Sequence, residues 1–195
     1  MPLQNRKKTV FISGSAYEYG RFGDDGKSFI KALSKTLLKN DFKIISGFGA
    51  GVGNYVIEGA LDEIYLGQRQ KMTDQLRVFP FPAMGDLLES IHENYRNDII
   101  SQAEIAIFLF GNKLEDIAVR EADGMKKEFE IARSHKVLLI PVGASGYVSE
   151  GLWKNVLDRY DDYFDNREKF EWYEQLGNPS ARPEELINTI LRIAQ

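Results

Sequence analysis

The sequence predicts an α/β protein: a Rossmann-like parallel sheet of about five strands flanked by helices, with a helical C-terminal part. Three observations carry that expectation. Short apolar runs alternate with longer stretches of helical periodicity, the pattern of successive βαβ units. The run Ile105–Phe110, "IAIFLF", is apolar without interruption, as a strand covered on both faces must be. Stretches rich in Gly, Ser and Asn follow several apolar runs, where the strand-to-helix turns of such a sheet fall.

Taken in order, "TVFIS" (9–13) reads as the first buried strand and ends in "GSAYEYGRFG". A helix follows Asp24 and Asp25, either of which could cap it, with Phe29, Leu33 and Leu37 on one face. "FKIIS" (42–46) is the second strand, and the glycine run "SGFGAGVG" (46–53) sits at its carboxyl end. The next helix carries Ile57, Leu61 and Ile64. "LRVFPF" (76–81) is a third strand, closed by Pro80 and Pro82. A helix from about Asp86 to Ala103 is expected to turn Leu88, Ile91, Tyr95 and Ile99 to the core. "IAIFLF" is the fourth strand, expected in the interior of the sheet, and "VLLIPVG" (137–143) is the fifth. A helix beginning near Gly124 lies between them, with Met125, Phe129 and Ala132 on its buried face. Beyond Ser149 every segment reads as helix. No repeat, low-complexity run or linker divides the chain, so residues 1–195 are expected to form a single domain.

Composition narrows the chemistry. The chain is 43% hydrophobic and 28% charged with a net charge of −4, ordinary for a globular protein and no electrostatic footprint for nucleic acid. It has no cysteine, which removes disulfides, thiolate catalysis and thiolate metal sites together. Its two histidines, His92 and His135, are not at metal-ligand spacing, and a surface place is expected for both. No run approaches the ~20 apolar residues of a membrane helix. A cytoplasmic protein with no metal, no nucleic-acid partner and no membrane contact is the expectation.

In open parallel sheets ligands sit beyond the carboxyl ends of the strands, where the strand order reverses. The loops to consider are therefore Ser13-Gly14-Ser15 onward, Gly47 to Asn54, Gly111-Asn112-Lys113 after the fourth strand, and the stretch after Pro141. Glycines there let backbone approach a phosphate, and Ser and Asn supply small donors. Tight structural turns would explain any one of these loops. The dinucleotide fingerprint needs glycines at offsets 0, 2 and 5. Counting from Gly47 ends on Val52, counting from Gly49 ends on Asn54, and the following strand ends without a carboxylate. Redox use of NAD is not expected.

Three charged residues stand out. Arg96 precedes Ile99 and Ile100 on one helix edge; it is either an Arg lying along a core margin or a guanidinium at a pocket wall. Lys113 follows the fourth strand, where an ammonium could reach a phosphate or simply be solvated. Glu128 borders the apolar face of its helix; in a first turn the helix dipole would favour it, and in a site it would accept from ribose hydroxyls or activate a water. The aromatics Tyr160, Tyr163, Phe164, Phe170, Trp172 and Tyr173 are expected in core or interface rather than as a stacking platform.

Taken together, "FISGSA", "SGFGAGVGNYVIEGA", "NYRNDIISQAEIAIFLFGNK", "GMKKEFEIA" and "IPVGASGYVSEGLW" resemble the SLOG superfamily, and within it the sirtuin- and TIR-associated branch. The resemblance spans nearly the whole chain. It implies a C-terminal sensor domain of the Thoeris antiphage system. In that system a partner TIR protein makes a cyclic ADP-ribose isomer from NAD, and the sensor binds it and switches on an attached sirtuin-like NADase. The family's ligand-binding Arg, Lys and Glu match Arg96, Lys113 and Glu128. Ser13, Gly14, Ser15, Gly47, Gly49, Gly51, Val52, Gly53, Asn54, Phe79, Gly111 and Asn112 would line the same pocket. The resemblance thus implies a receptor without catalytic residues or cofactor, a homo-oligomer, and a sirtuin-like domain as partner, absent before residue 1 here.

Two other readings come from the same superfamily. Its LOG-type members cleave nucleoside monophosphates at the N-glycosidic bond through a PGGxGTxxE motif. "EADGMKKEFE" keeps one Gly and a Glu of that motif but loses Pro, the Gly pair and Thr. The related DNA-processing proteins carry a Gly-rich loop of similar position, and the acidic net charge argues against that role.

Overall fold

In a computed structural model, residues 7–67, 74–80 and 88–195 are described. The expected parallel sheet is present: β1 (Thr9–Ser15), β2 (Lys43–Ser46), β3 (Leu76–Val78), β4 (Ile105–Phe110) and β7 (Leu138–Pro141) lie in the order β3-β2-β1-β4-β7, every neighbouring pair parallel. All six residues of β4 are buried, as an uninterrupted apolar run between two neighbouring strands requires. β3 stops at Val78, shorter than expected, and Phe81 and Pro82 lie outside the described residues.

Helices connect and cover the strands. α1 (Asp25–Lys39) buries Phe29, Ile30, Leu33, Leu37 and Leu38, the stripe its periodicity predicts. Asp24 occupies its cap position, but no side chain there bonds the helix amides, so the expected aspartate cap is not made. α2 (Gly53–Leu61) continues into a wider-turn segment, Asp62–Leu66. α3 (Leu88–Ile100) begins later than expected; its buried part is the last turn, Ile99 and Ile100, while Ile91 is 43% exposed instead of facing the core. The side chain of Leu88 lies outside the described residues. α4 (Asp123–Ser134) buries Met125, Phe129 and Ala132.

One element was not anticipated. Between β4 and α4 the chain forms an antiparallel hairpin, β5 (Asn112–Glu115) and β6 (Ala118–Glu121), apart from the main sheet. Its turn needs left-handed backbone at Asp116, φ +56°, which the Asp side chain tolerates and which a search for Gly- or Pro-based turns overlooks.

The C-terminal quarter is helical: α5 (Tyr147–Asp158), α6 (Tyr160–Tyr163), α7 (Phe170–Gln175) and α8 (Pro183–Ala194). Tyr160, Phe164, Phe170 and Tyr173 pack ring against ring, with Tyr160 centroids 4.6 Å from Phe164 and 5.0 Å from Phe170. The Tyr173 hydroxyl donates to Leu139 O at 2.7 Å, anchoring this cluster to β7. Tyr160 and Tyr173 are core, and Phe164 and Phe170 pack partly buried against it, in line with the expectation. No described helix is long and apolar enough to cross a membrane.

Candidate functional site

The strand order places the switch point between β1 and β4: the chain leaves β1 toward β2 on one side and β4 toward β7 on the other. Loops diverge there and leave a crevice beyond the strand ends. A cleft of about 140 Å³ occupies it, lined by Ser13, Gly14 and Ser15 of β1, Gly47 and Gly49 after β2, and Gly124 and Glu128 of α4.

Glu128 is the chemical centre of this cleft. Its Oε2 accepts a hydrogen bond from Ser13 Oγ at 2.5 Å, and its Oε1 lies 3.5 Å from Arg96 Nε. The two charged side chains are only 13% and 12% exposed, so this is a largely desolvated pair. Burial pushes the Glu128 carboxyl above the ordinary carboxylate range, against the opposing pull of Ser13 and Arg96. Because α4 starts at Asp123, Glu128 stands in the second turn rather than the first, and the helix dipole is not what holds it. Three elements far apart in sequence (β1, α3 and α4) thus converge on one carboxylate.

Ser15 supplies the second notable group. Its hydroxyl is buried against the cleft and has no hydrogen-bond partner among the described residues. Buried polar atoms are nearly always paired, and an orphan beside a cavity marks the place where something else pairs with it.

The glycine run has a different explanation from the one its composition suggests. A Cβ at Gly49 would stand 1.9 Å from Gly14 O, and one at Gly51 would stand 1.8 Å from Ala16 O. The close approach these glycines permit is that of the β1 loop backbone. Ala16 N donates to Ala50 O at 2.8 Å, and the Tyr19 hydroxyl donates to Gly51 O at 2.8 Å, stapling the two loops together. Gly47 and Gly49 still line the cleft. The amides of Val52 and Gly53 donate to Gly49 O at 3.1 and 2.7 Å, the Val52 side chain is in the core, and Asn54 is exposed in the first turn of α2.

The remaining expected residues do not line the cleft, although the Gly111 amide donates to O of the lining residue Ser15 at 2.9 Å. Asn112 is fully buried: its Oδ1 accepts from the amides of Tyr17 and Glu18 at 2.9 and 3.1 Å, and its Nδ2 donates to Glu18 O at 2.9 Å. It ties the β1 loop to the hairpin. Gly111 has φ +100° and packs under Val148 and Met125. Lys113, 43% exposed, lies on β5 with its ammonium 3.3 Å from Glu115 Oε1. Phe79 packs edge-on against Tyr95 of α3, centroids 6.4 Å apart. Sequence reasoning missed Gly124 and the Tyr19 staple. Gly124 was legible as a small residue opening a helix, whereas the staple has no local signal. Among the described residues no group of His, Asp and Glu could hold a metal ion.

The family model for STALD, the Sir2- and TIR-associating SLOG family, matches residues 3–195. The chain belongs to the STALD family. Curated relatives of this STALD chain include the proteins named NAD(+) hydrolase ThsA from Bacillus cereus (strain MSX-D12) and Cytobacillus dafuensis. Both are 40% identical over 194 residues, covering 97% and 96% of this chain and 40% and 39% of the relatives. The ThsA of Enterococcus faecium is 33% identical over 198 residues, 97% of this chain and 40% of that protein. The STALD chain therefore spans about 40% of the length of the curated relatives it matches.

Solved structures share its fold at low identity. DNA processing protein A from Helicobacter pylori, described for its single-stranded DNA binding mode, aligns with a TM-score of 0.51 and 16% identity, covering 95% of this chain and 80% of that one. The X-ray structure of TM1055 aligns at 0.50 with 13% identity, covering 75% and 81%.

Proposed function

We propose that this STALD chain is a receptor for a cyclic ADP-ribose isomer, and that ligand binding activates an associated sirtuin-like NADase in antiphage defence of the Thoeris type. The observation that carries this reading is the Ser13–Glu128–Arg96 cluster at the switch point, beside the unpartnered Ser15 hydroxyl. A buried carboxylate accepts from ribose hydroxyls, a guanidinium binds a diphosphate in bidentate fashion, and the Ser15 hydroxyl donates to a phosphate oxygen. Drug-sized ligands occupy about 300–1,000 Å³. The cleft's 140 Å³ therefore takes one sugar or phosphate unit, with the rest of the ligand over its mouth.

To act as a switch, the ligand must bind one of two arrangements of the protein more tightly than the other. Lys113 belongs to this account as a flexible ammonium on the hairpin that joins β4 to α4, available to a phosphate once its surface pairing with Glu115 gives way. The NAD-consuming chemistry then lies in the attached domain; the relatives named NAD(+) hydrolase ThsA are matched over only about 40% of their length. The protein works in a homo-oligomer, so that occupancy of several sites is read together.

The second reading, hydrolysis of a nucleoside monophosphate, is favoured by one feature: a carboxyl whose pKa is raised by burial holds its proton to higher pH than an ordinary carboxyl does, as a general acid requires. The donors on both its oxygens and the departures from the LOG-type motif favour the receptor. Calorimetry with NAD, linear ADP-ribose and several cyclic ADP-ribose isomers, on wild type and Glu128→Gln, tests the choice. Tight binding of a cyclic isomer without turnover, lost in Glu128→Gln, is the expected result. Release of free base from a nucleoside monophosphate would establish the hydrolase instead.

A further inference from the structure

Phe48 stands in the middle of the glycine run and costs the fold stability in two ways. Its backbone is left-handed, φ +59°, a conformation that bulky residues rarely adopt. Its side chain is 40% exposed although it is a large apolar ring, in a loop otherwise made of glycine, alanine and valine. Neither cost is offset by core packing: Phe48 is neither among the buried residues nor among the partly buried apolar residues packed against the core. A glycine or asparagine would hold the same backbone more easily.

The position is nevertheless held firmly. The Phe48 amide donates to Ser46 Oγ at 3.2 Å, and a Cβ at Gly53 would stand 2.6 Å from Phe48 Cα, so the start of α2 is packed directly on this residue. On either side, Gly47 and Gly49 line the cleft. Phe48 is outside the lining itself, but a strained, exposed aromatic locked between two residues that line the cleft, where a less costly residue would suit the turn, points from the outlier toward binding.

From this we infer that Phe48 is the stacking surface for the nucleobase of the ligand, the part that the narrow cleft leaves outside. The inference rests on the receptor reading and deepens it. Glu128, Arg96 and Ser15 take the sugar and phosphate, and Phe48 offers a planar apolar face to a purine at the mouth. Aromatic–base stacking requires no hydrogen-bond pattern, because every base has a π-face. Phe48 would therefore set affinity for adenine-bearing ligands, while the buried cluster distinguishes how their riboses are joined.

Three proteins test this by calorimetry with a panel of cyclic ADP-ribose isomers and by thermal unfolding: wild type, Phe48→Asn and Phe48→Tyr. Phe48→Asn is expected to weaken binding of the isomer that wild type binds by tenfold or more, with an unfolding temperature equal to or above that of wild type. Phe48→Tyr keeps the aromatic face and is expected to bind within about threefold of wild type. Equal affinity in wild type and Phe48→Asn would overturn the inference while leaving the receptor reading intact. A fall in unfolding temperature with Tyr no better than Asn would also overturn it, since Phe48 would then act only by holding the loop. Failure of wild type to bind any isomer would overturn the receptor reading and this inference with it.

Discussion

Ser13 and Glu128 meet through a 2.5 Å hydrogen bond although 115 residues separate them in the chain. The bond joins the carboxyl end of β1 to the second turn of α4, across the point where the sheet reverses its strand order.

Glu128 makes stability depend on pH in a defined direction. Its pKa in the native protein is raised by burial, so in the window between the unfolded value, about 4.3, and the raised native one, the native state holds more protons than the unfolded state. Stability then falls as pH rises through that window. Glu128→Gln removes this slope. The unfolding temperature of wild type relative to Glu128→Gln is expected to be highest in acid and to drop toward neutral pH. A parallel pair of profiles would refute the assignment.

Ser15→Ala separates binding from folding. The hydroxyl has no partner among the described residues, so its loss is expected to leave the unfolding temperature within about 1 °C of wild type or raise it slightly. In the receptor reading the same change weakens ligand binding by about tenfold or more, a hydrogen bond to a charged group being worth about 1.5–3 kcal/mol. Paired calorimetry and thermal unfolding measure both.

Gly49→Ala and Gly51→Ala place a methyl group within 2 Å of a carbonyl oxygen, 1.9 Å and 1.8 Å respectively. Each must part the two stapled loops, and overpacking of this kind costs about 1–3 kcal/mol, or roughly 2–4 °C in unfolding temperature per kcal/mol. Gly151→Ala is the control, because, like Gly49, Gly151 has no left-handed backbone, and nothing lies within 4 Å of the added atom. It should lower the unfolding temperature by less than either loop variant.

Asn112→Ala breaks all three hydrogen bonds to the backbone of Tyr17 and Glu18, residues that are themselves exposed and whose freed groups water can reach. A loss of about 1–3 kcal/mol is expected, a typical hydrogen bond being worth about 0.5–1.5 kcal/mol net. Limited proteolysis should then cut the loop after β1 faster than in wild type. Unchanged protection would show that the Tyr19 staple alone holds this loop.

Lys113→Ala should barely change stability, since its pairing with Glu115 is a surface contact worth about 0–1 kcal/mol. If its ammonium joins the ligand's phosphate, affinity falls and the wild-type advantage shrinks as salt is raised. Titrations at low and high salt decide this. An advantage that is absent at both would remove Lys113 from the site.

By itself the sequence determined the class of fold, the order of the parallel strands' elements and the loops in which a site must lie. Apolar runs such as Ile105–Phe110 and the stripe Phe29–Leu33–Leu37 are local patterns, and burial of apolar surface is decided by local pattern wherever one face is consistently apolar. It also drew attention to Arg96, Glu128 and Ser13 as separate candidates. It did not show the β5–β6 hairpin, whose turn rests on an aspartate, nor the exposure of Ile91.

Only the tertiary structure decided what those residues do to one another. It showed the glycine run as a close fit of backbone on backbone that also puts Gly47 and Gly49 at the cleft, gave Asn112 to a loop clamp, and left Ser15 without a partner among the described residues. It also set Glu128 between Ser13 and Arg96, where burial raises its pKa. Hydrogen bonding and desolvation depend on which atoms meet across the fold, and residues 32 and 115 positions apart carry no mark in the chain of the contact they will make.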